Sequence, residues 1–151
     1  MSNKKISKQI IGRAEWVHFP QWELYNLNAK VDTGAYTSSL HAHHISVVEE
    51  GPPPVVRFYL LDPQHSAYNN RQLKMPVKQQ RLVKSSNGTA ERRFIIETTI
   101  TIMGEQLPVE LSLTDRSEMK YPVLLGRKIL TGRYIVDVDT IHCSKKYKNK
   151  S

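Results

Sequence analysis

The feature that most constrains the fold is a run of period-two alternation in the middle of the chain. Phe94, Ile96, Thr98, Ile100 and Ile102 alternate with Ile95, Glu97, Thr99, Thr101 and Met103. After Met103-Gly104-Glu105-Gln106, Leu107, Val109, Leu111 and Leu113 alternate back. Side chains in a strand point to opposite faces with a period of two, so each run buries one face, and a Gly-led turn folds them into a hairpin. Tyr25, Leu27, Ala29 and Val31 form a third alternating run, and residues 55–61 a fourth after the Pro52-Pro53-Pro54 break. A weaker turn signal lies at Ser85-Ser86-Asn87-Gly88. Helical signal is confined to residues 127–130, ended by Thr131-Gly132, and strand character resumes over 134–138. Many short strands, turn punctuation and one short helix predict an all-β closed barrel or sandwich.

A chain of 151 residues supports one domain. The expected division is a flexible basic N-terminus over 1–9, a domain over 10–143 and a flexible basic tail over 144–151. No apolar run reaches the length of a membrane span, and no apolar stretch follows the basic start, so neither a membrane anchor nor a secretory signal is expected. The single cysteine, Cys143, excludes an internal disulfide framework and a multi-thiolate zinc site; a cytoplasmic setting is the expectation.

The net charge of +8 raises the question of nucleic acid. Lys4, Lys5, Lys8, Lys145, Lys146, Lys148 and Lys150 supply seven of those charges, leaving the body of the chain at +1, and the ends read as solvated tails rather than nucleic-acid arms. One internal stretch differs: Arg71, Lys74, Lys78, Arg81, Lys84, Arg92 and Arg93 face a single acid, Glu91. Such a local excess attracts an anionic partner.

Chemistry is concentrated at Ala29-Lys30-Val31-Asp32-Thr33-Gly34-Ala35. An alternating strand runs into an acid, which presents a carboxylate at a strand end. Thr33 offers a hydroxyl to fix the loop, and Gly34 allows a sharp turn with close backbone approach. About ninety residues later comes Tyr121-Pro122-Val123-Leu124-Leu125-Gly126-Arg127-Lys128-Ile129-Leu130, a buried strand followed by Gly and a short helix. Together these segments resemble the retropepsin-like aspartic proteases. In that family the aliphatic-aliphatic-Gly segment packs beside the Asp-Thr-Gly loop. More narrowly, 32–42 and Leu124-Leu125-Gly126-Arg127 with Gly132-Arg133 are similar to the bacterial group labelled ATP-dependent zinc proteases, which is associated with the RimK-type glutamate ligase. The resemblance covers roughly residues 10–140.

The resemblance implies a closed barrel of the acid-protease type and hydrolysis by an aspartate-activated water. Asp32, Thr33 and Gly34 would form the catalytic loop, with Leu124, Leu125, Gly126 and Arg127 supporting it. Arg127 is expected to lock the barrel by pairing with an acid. Only one Asp-Thr-Gly is present, so a homodimer is implied, bringing Asp32 opposite its symmetry mate with Thr33 bracing the axis. Ala35, Arg81, Lys84, Arg92 and Arg93 are the expected substrate contacts. Their charge points to an acidic, glutamate-rich peptide.

The words ATP and zinc in the group's label find no counterpart in the residues. No Gly-x-x-x-x-Gly-Lys-Ser/Thr loop is present, and neither is a His-Glu-x-x-His helix, so no cofactor is expected. His41 and His43 share a strand face and define the alternative of a metal-dependent hydrolase. A non-catalytic module binding acidic peptides on the same fold is the other alternative. His142 and Cys143 point to opposite faces as strand neighbours and form no expected dyad. Trp16 and Trp22, flanking Phe19-Pro20, are read as packing residues.

Overall fold

A computed structural model of the chain describes residues 7–61, 63, 65–84, 88–115 and 120–148. Eleven strands carry the fold: β1 (Gln9–Ile11), β2 (Ala14–Phe19), β3 (Leu24–Val31), β4 (Ser38–Glu49), β5 (Val55–Leu60), β6 (Gln72–Pro76), β7 (Gln79–Lys84), β8 (Ala90–Ile102), β9 (Glu105–Thr114), β10 (Val123–Leu125) and β11 (Tyr134–Val136). Among the described residues a single short α-helix, α1 (Arg127–Leu130), follows β10. No helix among the described residues is long and apolar enough to cross a membrane.

Six strands close on themselves in the order β10, β3, β2, β8, β9, β4 and back to β10. Closure depends on β10, which runs parallel to β3 (Val123 opposite Ala29, Leu125 opposite Val31) and antiparallel to β4 (Val123 opposite Leu40). A closed barrel leaves no free sheet edge. Its interior is filled by Val17, Phe19, Leu27, Ala29, Leu40, Ile96, Ile100, Ile102, Leu111 and Leu125, all fully buried or nearly so. Leu27, Ala29, Ile96, Ile100, Ile102 and Leu111 are apolar positions of the alternating runs, which is why the sequence forms strands there.

The central hairpin is present as expected. β8 and β9 pair from Ile95 opposite Ser112 to Ile102 opposite Glu105. The connection is tighter than the sequence suggested: Met103 and Gly104 alone turn the chain, with φ of 52° and 79°. A two-residue turn with positive φ at both positions matches the twist of the strands, and Gly takes the second position without strain.

Two strands extend beyond the barrel. The first half of β8 leaves β2 behind and pairs with β7 (Arg81 opposite Arg93), so that β7 and β8 form a second hairpin. Of its expected tip at Ser85–Gly88, residues 85–87 lie outside the described residues, and Gly88 has a φ of 85°. The second half of β4 pairs with β5, and β5 with β6, adding a three-stranded apron to the barrel. Irregular register between His43 and Ser46 bends β4 at this junction.

The chain ends are held together. β1 and β11 form a separate parallel pair, Ile10 opposite Ile135. Where a flexible tail is expected from 144 onward, the chain forms a 3₁₀ turn over Cys143–Tyr147. Its anchor is Glu15, a fully buried carboxyl. Glu15 accepts hydrogen bonds from the Gly12 N–H at 2.7 Å, the Cys143 N–H at 3.0 Å, the Ser144 N–H at 2.8 Å and the Ser144 hydroxyl at 2.5 Å. Trp16, stacked on His142 at 3.9 Å and capped by the Lys148 ammonium at 4.2 Å, closes the same seam. Lys145, Lys146 and Lys148 are exposed while Ser144 is buried, which is why the composition alone reads as a solvated end.

Candidate active site

Asp32 follows β3 directly, and its N–H donates to the Leu125 carbonyl at 2.9 Å, continuing the β3–β10 ladder past the end of the strand. The loop then turns sharply. The Gly34 N–H donates to Asp32 Oδ1 at 3.0 Å, and the Ala35 N–H reaches the Asp32 carbonyl at 3.3 Å. This side-chain-to-backbone turn fixes one carboxyl oxygen and leaves the other without a hydrogen-bond partner among the described residues.

The aliphatic segment and α1 hold the loop from behind. The Arg127 and Lys128 N–H groups donate to the carbonyls of Ala35 and Tyr36 at 2.8 and 2.9 Å, so the first turn of the helix is capped by the acidic loop's own backbone. The Gly126 N–H donates to Ser38 Oγ at 3.0 Å. A Cβ at Gly126 would lie 2.6 Å from the Tyr36 carbonyl oxygen and 2.9 Å from that of Ala35, so only glycine permits this approach. Leu125 is fully buried, whereas Leu124 points to the cleft described below.

Arg127 supports the loop by a different contact from the one expected. Instead of pairing with an acid, it donates from Nη1 to the Thr33 carbonyl at 2.9 Å and lies over the Tyr36 ring at 5.8 Å. Thr33 and Gly34 themselves are exposed.

A cleft of about 290 Å³ opens in front of Asp32, lined also by Ala35, Tyr36, Thr37, Ser39, Arg81, Arg93, Ile95, Ser112, Thr114 and Leu124. The register explains this grouping. Ser39 faces Ser112 and His41 faces Thr114 across β4 and β9, Ser112 faces Ile95 across β9 and β8, and Arg93 faces Arg81 across β8 and β7. Residues directly opposite one another share a face, so the β7–β8 hairpin sets two guanidinium groups on the Asp32 side of the sheet. Arg93 Nε and Thr114 Oγ1 are buried and have no hydrogen-bond partner among the described residues. Neither arginine forms an ion pair among the described residues, so the cleft combines an acid with positive charge that none of them neutralises.

Of the expected substrate contacts, Ala35, Arg81 and Arg93 line this cleft. Arg92 does not. As the neighbour of Arg93 it points to the opposite face, where it donates to Gln80 Oε1 at 2.7 Å, lies 3.6 Å from Glu50 and covers Phe94. The side chain of Lys84 lies outside the described residues. Ser39, Ser112 and Thr114 were not singled out from sequence. The β9 alternation that marks Leu111 and Leu113 as core sets Ser112 and Thr114 on the other face, and that parity was the available signal.

His41 and His43 do share a face, with ring centroids 6.4 Å apart. His43 is stacked between Tyr59 and Tyr68 at 5.6 and 6.0 Å. Among the described residues no group of three or more His, Cys, Asp or Glu is placed to hold a metal ion. His142 is engaged by Trp16 and Asn28, and Cys143 Sγ sits 3.5 Å from Thr140 Oγ1.

A closed six-stranded barrel with Asp-Thr-Gly at a strand end, backed by a Gly-led segment and a short helix, is the retropepsin-like architecture. The chain belongs to the RimB-like family, described as retropepsin-like aspartic endopeptidase RimB, whose model matches residues 10–147. That match also reaches past 143 into the anchored C-terminal turn. Among curated relatives, a protein named probable alpha-L-glutamate ligase from Shewanella pealeana is 38% identical over 137 residues, 91% of this chain. One of the same name from Parasynechococcus marenigrum is 36% identical over 139 residues, 89% of this chain. The chain spans only 30% and 29% of the length of those two relatives. A crystal structure of a Legionella pneumophila protein of unknown function superimposes with a TM-score of 0.71 at 25% identity, covering 91% of this chain and 99% of that one.

Proposed function

We propose that the chain is an aspartic peptidase acting on acidic, glutamate-rich peptides, with a site completed by a second copy. The observation that carries this reading is that Asp32 and the Arg81–Arg93 pair open into one cleft. An isolated carboxylate is a weak catalyst. Two facing carboxylates cannot both ionise cheaply, so Asp32 and its mate would share one proton. The ionised member draws a proton from a water as it attacks the scissile carbonyl, and the protonated member polarises that carbonyl. Arg81, Arg93 and Thr114 would receive substrate carboxylates, since guanidinium groups without an ion-pair partner among the described residues, together with the buried Arg93 Nε and Thr114 hydroxyl, favour an acceptor-only ligand. The name borne by the relatives, a ligase for glutamate, agrees in substrate chemistry.

The test is hydrolysis of a glutamate-rich peptide. Asp32→Asn should abolish turnover and leave peptide binding in place, and added salt should raise KM. Activity that rises more steeply than linearly with protein concentration at high dilution marks the dimer. Unchanged turnover in Asp32→Asn overturns the reading. Binding of acidic peptides without turnover in the wild-type protein would instead favour an acidic-peptide binding module, which the same unpaired arginines support.

A further inference from the structure

The cleft's cationic pair has a counterpart on the apron. On β5 and β6, Arg57 and Lys74 stand directly opposite each other, both exposed. Like charges facing each other directly across two strands are destabilising. Neither residue has an ion-pair or hydrogen-bond partner among the described residues. The acids at the nearby end of β4 do not relieve them: Glu50 is engaged by Arg92, and Glu49 lies at the strand terminus opposite Val55.

The two pairs lie on one continuous face. Arg93 is two residues from Ile95 and Thr114 two residues from Ser112, which faces Ile95, so Arg81, Arg93, Thr114 and His41 fall on one face of β7, β8, β9 and β4. His43, two residues on from His41, shares its face and sits opposite Tyr59. Arg57, two residues from Tyr59, therefore points the same way, with Ser46 opposite it on one side and Lys74 on the other. Ser46 Oγ is buried with no partner among the described residues. The rings of His43, Tyr59 and Tyr68 are stacked on one another, which leaves charge rather than open aromatic faces as the recognition element of this surface. From Ser39 in the cleft to Ser46 beside Arg57 is seven residues of β4, one of them taken up by the irregularity after His43, so about 20 Å at roughly 3.3 Å per residue.

We infer that Arg57 and Lys74 form a secondary binding site for the acidic substrate itself, engaging carboxylates of the same peptide several residues away from those held in the cleft. This inference rests on the acidic-peptide reading above. Its signature is length dependence: an extended acidic run of about seven residues or more reaches both cationic pairs, and a short one reaches only the cleft.

The experiment measures binding of fluorescent peptides of four and twelve glutamates to the Asp32→Asn protein, so that turnover does not interfere. The twelve-residue peptide should bind about tenfold more tightly. Adding Arg57→Gln and Lys74→Gln should reduce its affinity to that of the four-residue peptide and leave the short peptide unaffected. In the otherwise wild-type protein, the same pair of substitutions should raise KM for the long peptide alone and leave kcat unchanged. Both residues are exposed, so the fold should persist with an unchanged melting temperature. Equal affinity for the two peptides, or weakening of both by the double substitution, overturns the inference. So does a twelve-residue single-stranded RNA that outcompetes the long peptide through the same two residues. Should the wild-type protein hydrolyse neither peptide while the length-dependent binding persists, the peptidase reading fails and the secondary site stands.

Discussion

Arg127 holds the carbonyl of Thr33 at 2.9 Å, so the residue that follows the acid is fixed by the residue that follows Gly126. The contact joins segments ninety-four positions apart and leaves the Asp32 carboxyl itself untouched. Replacing Arg127 with Ala should therefore disturb the acidic loop more than the barrel. The expected outcome is a fall in kcat of at least tenfold in peptide hydrolysis with a loss of stability of only about 1 kcal/mol, because the guanidinium is exposed. Arg127→Lys, which keeps the charge and loses the planar fork, should restore little. A large loss of stability with unchanged kcat would contradict this.

Gly126 offers a steric test. Gly126→Ala would press a methyl group against the backbone carbonyls of Tyr36 and Ala35. Neither is the flexible end of a side chain, so the loop or α1 must shift. Urea denaturation should show destabilisation of about 2–4 kcal/mol, in the range of strained or overpacked core positions. Gly88, where an added Cβ meets nothing within 4 Å, serves as a control for packing, although its φ of 85° still disfavours alanine.

Glu15 anchors the C-terminal turn. Glu15→Ala leaves the N–H groups of Gly12, Cys143 and Ser144 without their acceptor in a buried seam. Each orphaned buried donor costs about 1–3 kcal/mol where water cannot reach it. A loss of about 3 kcal/mol is expected, with amide exchange accelerating most over residues 140–148. Uniform acceleration across the barrel would argue that the seam unfolds only with the whole domain.

Tyr134 supplies a pH dependence. Burial, reinforced by the nearby Glu105, pushes its hydroxyl up to about 12 from 10.0. The folded state thus holds the proton more tightly than the unfolded chain. The associated stability is fully present below pH 10 and is lost as pH rises toward 12. Its oxygen is buried without a partner among the described residues. Tyr134→Phe should accordingly match or slightly exceed the wild-type stability at pH 7, and should lose less between pH 10 and 12. Thermal melts across that range check both statements.

The parts of this fold that sequence reasoning reached are those where one segment carries its own signal. The β8–β9 hairpin shows in its alternation and its Gly104 turn, and the acidic loop and Leu124–Arg127 show in their residue order. The apron was less legible, since β4 and β6 place His, Ser, Gln and Lys on a half-solvated face, which blurs the period. Glu15 looks like any polar strand position, and its burial depends on Ser144, far along the chain. Within the basic stretch, the distinction between Arg93 and Arg92 was available in principle. Phe94 fixes the core face of β8, Arg92 shares its parity, and Arg93 falls with Ile95 on the side of Asp32.

The parallel pairing of β1 with β11 brings both ends of the barrel's chain to one place: Ser7, Gln9 and Tyr147 border the same hollow of about 720 Å³, which shares no lining residue with the Asp32 cleft. Polypeptide entering and leaving the domain there can be lengthened on either side without threading past the acidic loop. Such a unit is portable. It can be joined to a much larger enzyme while its cleft stays open to solvent, in keeping with relatives in which the matching segment occupies less than a third of the whole.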